Sequence, residues 1–185
     1  MRGPGLVLVG VALVGCRSAP VGPYLPPTEV VRETTRAEKL NREAADLIES
    51  DLEEAEALLR EALTADLFYG PAHNNLGVVF LKQERLYEAA QEFEWARKLL
   101  PGNPDPRLNL ALVMESAGRF EDAFEAYEAA LAVAPEHVPT LQGLAMLSVK
   151  QGRRGADVRE MLSTVALRGE SEAWREWARG QVARR

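Results

Sequence analysis

The sequence predicts an all-α fold: a short solenoid of stacked helical hairpins closed by one C-terminal helix. Three observations carry this. Residues recur at a spacing of 34, with Leu76, Leu110 and Leu144 in register and the small residues Gly77, Ala111 and Ala145 directly after them. Within each period the apolar residues fall at helical spacing, as in Leu76 and Phe80, then Ala89, Phe93 and Ala96. Pro101 and Pro135 then close the two best-formed periods. A period of this size holds two helices and a turn, too little to bury its own apolar face, so neighbouring units must stack.

The elements follow in order. Met1-Arg2 and an uncharged run over residues 6–14 end at Gly15-Cys16. A run of about nine residues is too short to cross a bilayer as a helix, which needs roughly twenty. It has the size of a signal-peptide apolar region. Leu13-Val14-Gly15-Cys16 resembles the lipobox of bacterial lipoproteins. That resemblance implies a signal peptide over 1–15, cleavage before Cys16 and lipidation of its thiol; an ordinary secretory signal with an incidental cysteine is the alternative. With Arg17 and no Asp at the next position, the lipoprotein sorting rule implies the outer membrane if the host is Gram-negative. Residues 16–35 read as the lipidated cysteine and a linker, because Pro20, Pro23, Pro26 and Pro27 favour extended chain. The linker either holds the folded part off the headgroups or is a simple frayed tail.

The first unit, 36–69, is irregular. Ala55, Leu59 and Ala62 put its second helix in phase, while Leu40, Ala44, Leu47 and Ile48 form the stripe of its first, and Leu67 stands where the later units carry proline. Units 70–103 and 104–137 agree at nearly every position, pairing Phe80 with Met114, Ala89 with Ala123, Phe93 with Tyr127 and Ala96 with Ala130. Unit 138–169 keeps Leu141, Leu144, Ala145 and Gly152, but Asp157 and Thr164 replace alanines in its second helix, expected over about 156–167. Segment 170–185 opens with Ser171 as N-cap and spaces Trp174, Trp177, Ala178 and Val182 along a helix. It reads as a cap on the last hairpin, with a partner-binding tryptophan patch as the alternative.

This pattern resembles the tetratricopeptide repeat, over about residues 36–169. The resemblance implies a right-handed α-solenoid of about four units, the outer ones degenerate, whose first helices line a concave groove that takes a protein or peptide. Carried onto this sequence, the groove residues are Asn41, Asn74, Asn75, Val78 and Leu81, then Leu108, Asn109, Leu112 and Glu115, then Gln142, Met146 and Val149. Asn41, Asn75 and Asn109 recur one period apart, and Gly143 breaks the series. Asparagine is a mediocre helix former. Its amide both donates and accepts, which suits gripping a peptide backbone, and some members of this family use such a ladder. The alternative is an inherited residue bonded to a neighbouring loop or water. The chaperone-binding subclass clamps a carboxylate with Lys and Arg. Asp105 and Asn109 stand at the corresponding later positions, so no clamp is expected.

Composition narrows the chemistry. The 185 residues carry a formal charge of −6, which disfavours nucleic acid. One cysteine excludes an internal disulfide and any multi-thiolate zinc site. His73 and His137 occupy different places in their repeats without a second ligand at metal spacing. Glu88, Glu92, Glu121, Asp122, Glu125 and Glu128 read as a solvated outer face. The arginines from Arg153 onward make the C-terminal third basic; they read as scattered surface charge, with anionic lipid or an acidic partner as the alternative. No phosphate-binding loop or nucleophile motif is present. The expectation is a non-enzymatic protein without cofactor or metal, attached to a membrane through its N-terminal lipid and facing the periplasm. It would act as a scaffold or assembly factor for an envelope complex (pilus, secretion or outer-membrane assembly), or as an adaptor of cell-wall enzymes. Its oligomeric state is left open by the sequence.

Overall fold

The computed structural model describes residues 32–183, so the expected signal peptide, Cys16 and the proline-rich part of the expected linker lie outside the described residues. From Arg32 onward the chain forms one compact unit. Among the described residues there are nine helices and no strand: α1 (Thr34–Leu47), α2 (Leu52–Ala65), α3 (Gly70–Lys82), α4 (Leu86–Leu99), α5 (Asp105–Ser116), α6 (Phe120–Val133), α7 (Val138–Lys150), α8 (Ala156–Arg168) and α9 (Glu172–Ala183). Consecutive helices pair as hairpins, and the first helices α1, α3, α5 and α7 also touch one another in succession. The second helices are held further apart, so the first helices form the inner row of a curved stack.

The hairpins α3–α4, α5–α6 and α7–α8 each turn on one left-handed residue. Glu84 has φ 61°, Gly118 φ 71° and Gly152 φ 70°, one repeat apart. The amides of Arg85, Arg119 and Arg153 then donate back to the carbonyls of Phe80, Met114 and Ser148 at 2.8–2.9 Å, closing the exposed end of each first helix. Glycine adopts this conformation freely, whereas a glutamate is strained in it. Proline in the first turn of α3, α5 and α7 fits positions whose N–H has no helical partner.

The core runs through the hairpins and between them. Ala55, Ala89 and Ala123 are fully enclosed at the helix crossings, where a larger side chain would force the helices apart. Phe93 and Tyr127 are fully buried too, and burying a side chain of that size is worth roughly 1.5–3 kcal/mol. A Cβ on Gly77 would lie 2.6 Å from the Phe93 ring, and one on Gly143 2.6 Å from the Tyr127 ring. Gly143 therefore interrupts the asparagine series because an aromatic ring occupies the space beside it.

Both ends depart from the sequence expectation. The first helix begins at Thr34, ahead of the expected unit start at 36, because the preceding residues are tied down. Asp66, 1% exposed, accepts hydrogen bonds from Arg32 Nε (2.9 Å) and Nη2 (3.0 Å), Thr34 Oγ1 (2.7 Å) and the Phe68 amide (3.0 Å). Those bonds, Arg32's above all, hold the Asp66 carboxyl below its usual range against the opposing effect of burial. The linker expected over 16–35 thus ends by Arg32. At the other end, α9 caps the stack through buried Ala178 and half-buried Trp174 and Trp177, whose rings meet edge-to-face at 5.4 Å. Val182, expected on the same face, is 40% exposed. Ser171 Oγ accepts from the Trp174 amide at 3.3 Å, as an N-cap does.

Candidate functional site: the inner row of first helices

The asparagines of the inner row bond to one another. Asn75 Nδ2 donates to Asn41 Oδ1 at 2.9 Å, Asn74 Nδ2 to Asn75 Oδ1 at 3.4 Å, and Asn109 Nδ2 to Asn74 Oδ1 at 3.0 Å. Four half-buried amides therefore form one relay across α1, α3 and α5. All its donors point from the C-terminal side towards α1. The neighbouring-group alternative considered from the sequence took a loop or water as partner; the partners are the other asparagines. Each primary amide offers two N–H groups and two lone pairs. One bond in each direction leaves every side chain with hydrogen-bonding capacity.

The apolar members border this relay. Val78 and Leu81 are half-buried against the N-terminal core, and Leu108 against the central core. Leu112 is 36% exposed on α5 and Met146 is half-buried on α7, whereas Val149, expected in the groove, packs against the C-terminal core instead. Glu115 is committed, since the buried Tyr127 hydroxyl donates to its Oε1 at 2.6 Å. Burial first, and the bond to Glu115 second, push the Tyr127 hydroxyl far above its usual pKa, so it remains a donor.

Gln142 requires a correction. It is 3% exposed and spans to the α8–α9 connection, its Oε1 accepting from the Glu170 amide at 2.8 Å and its Nε2 donating to Glu170 Oε2 at 3.2 Å. It locks the last hairpin to its cap and is closed to a ligand. Unit-to-unit spacing alone placed it in the groove; the added contact of a capping segment decided otherwise.

Both histidines are held by protein groups. His73 Nδ1 lies 2.6 Å from Glu92 Oε2 and its Nε2 2.9 Å from the Leu67 carbonyl, with Trp95 stacked 5.9 Å away. His137 Nδ1 lies 2.8 Å from Thr140 Oγ1 and its Nε2 3.3 Å from Asp105 Oδ1. Among the described residues no three His, Cys, Asp or Glu side chains converge as metal ligands. The outer helices also carry inter-unit ties that the sequence reading passed over: Arg85 reaches Glu56 at 3.2 Å and Arg153 reaches Glu121 at 2.7 Å. Arginine at the same turn position in three successive units, Arg85, Arg119 and Arg153, was the available signal.

A family profile described as tetratricopeptide repeat matches residues 49–104 and 76–138. A search of curated proteins finds no match. Among solved structures, MamA is similar with a TM-score of 0.61 and 20% identity, covering 69% of this chain and 75% of that one. The first tetratricopeptide-repeat domain of Spaghetti (RPAP3), bound to the HSP90 peptide SRMEEVD, gives a TM-score of 0.62 at 14% identity, covering 67% of this chain and 99% of that one. MamA from residue 41 to its end, from Desulfovibrio magneticus RS-1, gives 0.60 at 20% identity, covering 78% and 77%. At such identities the likeness is one of fold. Residues 49–138 are tetratricopeptide repeats, and the hairpin stack they belong to is a tetratricopeptide-repeat solenoid.

Proposed function

We propose that this chain is a non-enzymatic envelope lipoprotein that recruits another protein by holding an extended segment of it along the inner row of first helices. The asparagine relay carries the reading. Four half-buried amides with spare donors and acceptors, flanked by Val78, Leu81, Leu108 and the exposed Leu112, offer hydrogen bonds to a backbone and apolar contacts to side chains. Such a surface grips main chain of either polarity and selects weakly among sequences, which suits a scaffold. The solved repeat domain of Spaghetti holds a peptide, which supports the same use here. The lipobox-like Leu13-Val14-Gly15-Cys16 supports the membrane anchor and a periplasmic face, on the outer membrane in a Gram-negative host. An envelope assembly, of the pilus, secretion or outer-membrane kind, is the setting in which a tethered scaffold without catalytic groups has a role.

Two experiments test this. Cys16→Ser is expected to move the protein from the membrane to the soluble fraction on cell fractionation, and retention at the membrane contradicts the anchor. Leu112→Lys is expected to abolish co-purification of the partner, while Glu125→Lys on the exposed side of α6 leaves it intact. Equal loss, or no loss, contradicts the groove. In a deletion strain, lost piliation or secretion fits an assembly role. Altered shape or lysis instead transfers the scaffold to cell-wall enzymes.

A further inference from the structure

A second surface lies at the C-terminal end of the solenoid, away from the asparagine relay. By the 34-residue step, α8 should begin at residue 154, matching Leu86 in α4 and Phe120 in α6, but it begins at Ala156. The apolar residue that starts the second helix in the two preceding units is Arg154 here, and Gly155 follows it in fully extended conformation, with φ −154° and ψ −179°. The displaced first turn leaves a cavity of about 350 Å³ between the end of α7, the start of α8 and the end of α9. That volume falls in the range of small-ligand sites.

The lining divides into two parts. Val149, Val158 and Leu162 form an apolar wall, continued at the rim by the exposed Val182. The lining also holds Arg153, Arg154 and Arg159, and it contains no acidic residue. Arg153 is engaged, paired with Glu121 and stacked 3.5 Å above the Phe124 ring. Arg154 and Arg159 are exposed and form no ion pair among the described residues. The N-terminus of α8 opens at the same place, and no side chain caps it. Asp157, the acidic residue of that turn, lines the adjoining clefts, and its Oδ1 lies against Gly155, so a carboxylate already faces the start of α8. The surroundings share this sign: from Val138 onward the chain has nine basic and five acidic residues, against an overall charge of −6.

We propose that this cavity binds an anionic amphiphile, its head group at Arg154 and Arg159 and its short apolar body against Val149, Val158 and Leu162. Arginine forks match carboxylate and phosphate oxygens, and two unpaired ones beside an apolar wall suit a ligand with one charged end. A free carboxylate amphiphile and an anionic lipid head group share this chemistry.

The test uses the full chain carrying Cys16→Ser, so that its own lipid is absent, and follows backbone amide shifts on adding octanoate. Saturable shifts at Gly155, Ala156 and Val158 are expected, at least tenfold weaker in R154A/R159A and not produced by octanol. Both arginines are exposed, so the double variant should melt with the parent, which separates lost binding from lost folding. A second arm measures sedimentation with phosphatidylcholine vesicles, with and without phosphatidylglycerol. Octanoate binding names a free ligand as the source. Binding only to phosphatidylglycerol vesicles, lost in the double variant, names the lipid head group. No binding in either arm, equal binding by the double variant, or equal shifts with octanol overturns the proposal.

Discussion

Asp66 shows how one side chain sets the start of the array. Its carboxylate is enclosed and accepts four hydrogen bonds, so Asp66→Asn is expected to lower stability by about 2 kcal/mol in urea unfolding at pH 7. Because its folded pKa lies below the unfolded value, that contribution is fully present above about pH 4. It is lost as the pH falls through the lowered folded pKa, so parent and variant should converge in acid. A gap that does not narrow as the pH falls below about 4 contradicts this. Asn75→Ala removes two links of the amide relay but gains helix preference, for a net loss of about 1 kcal/mol. Thermal melting measures it, and an unchanged midpoint denies the relay any structural role. The recurrence of Asn41, Asn75 and Asn109 was plain in the sequence. That they bond to each other through Asn74 was not, because Asn74 and Asn109 are 35 residues apart, one more than the period.

At the scale of the element, the hairpin turns give the sharpest expectations. Glu84 occupies the left-handed position that Gly118 and Gly152 fill in the later units, so Glu84→Gly should raise stability by about 1 kcal/mol. Chemical denaturation checks this; a loss would mean that the glutamate side chain contributes more than its backbone costs. Gly77→Ala should have the opposite effect, costing about 1–3 kcal/mol as its methyl group meets the Phe93 ring. The helices themselves were legible because small and large apolar residues recur in fixed phase. The late start of α8 was legible only in outline, through Asp157 standing where alanine is expected. The replacement of Leu86 and Phe120 by Arg154 was written in the same alignment, but charge on a terminal unit reads as surface until a cavity is seen beside it.

Over the whole molecule, periodicity dictates the stack, and the stack places one helix of every unit on the inner row. Nearly all expected groove residues lie on that row, since their positions follow from helix phase alone. Gln142 departs because α9 and its connection cover the last unit, a contact that no repeat pattern encodes. Tyr127 likewise claims Glu115, since its hydroxyl, unlike Phe93, needs an acceptor once buried. The central claim is that the inner row holds a partner segment. A photo-crosslinking side chain at Leu112, compared in intact cells with the same probe at Glu125, tests it most directly. Capture of one envelope protein at Leu112 and none at Glu125 is the predicted result. Equal capture at both positions, or crosslinks only between copies of this chain, would contradict the claim.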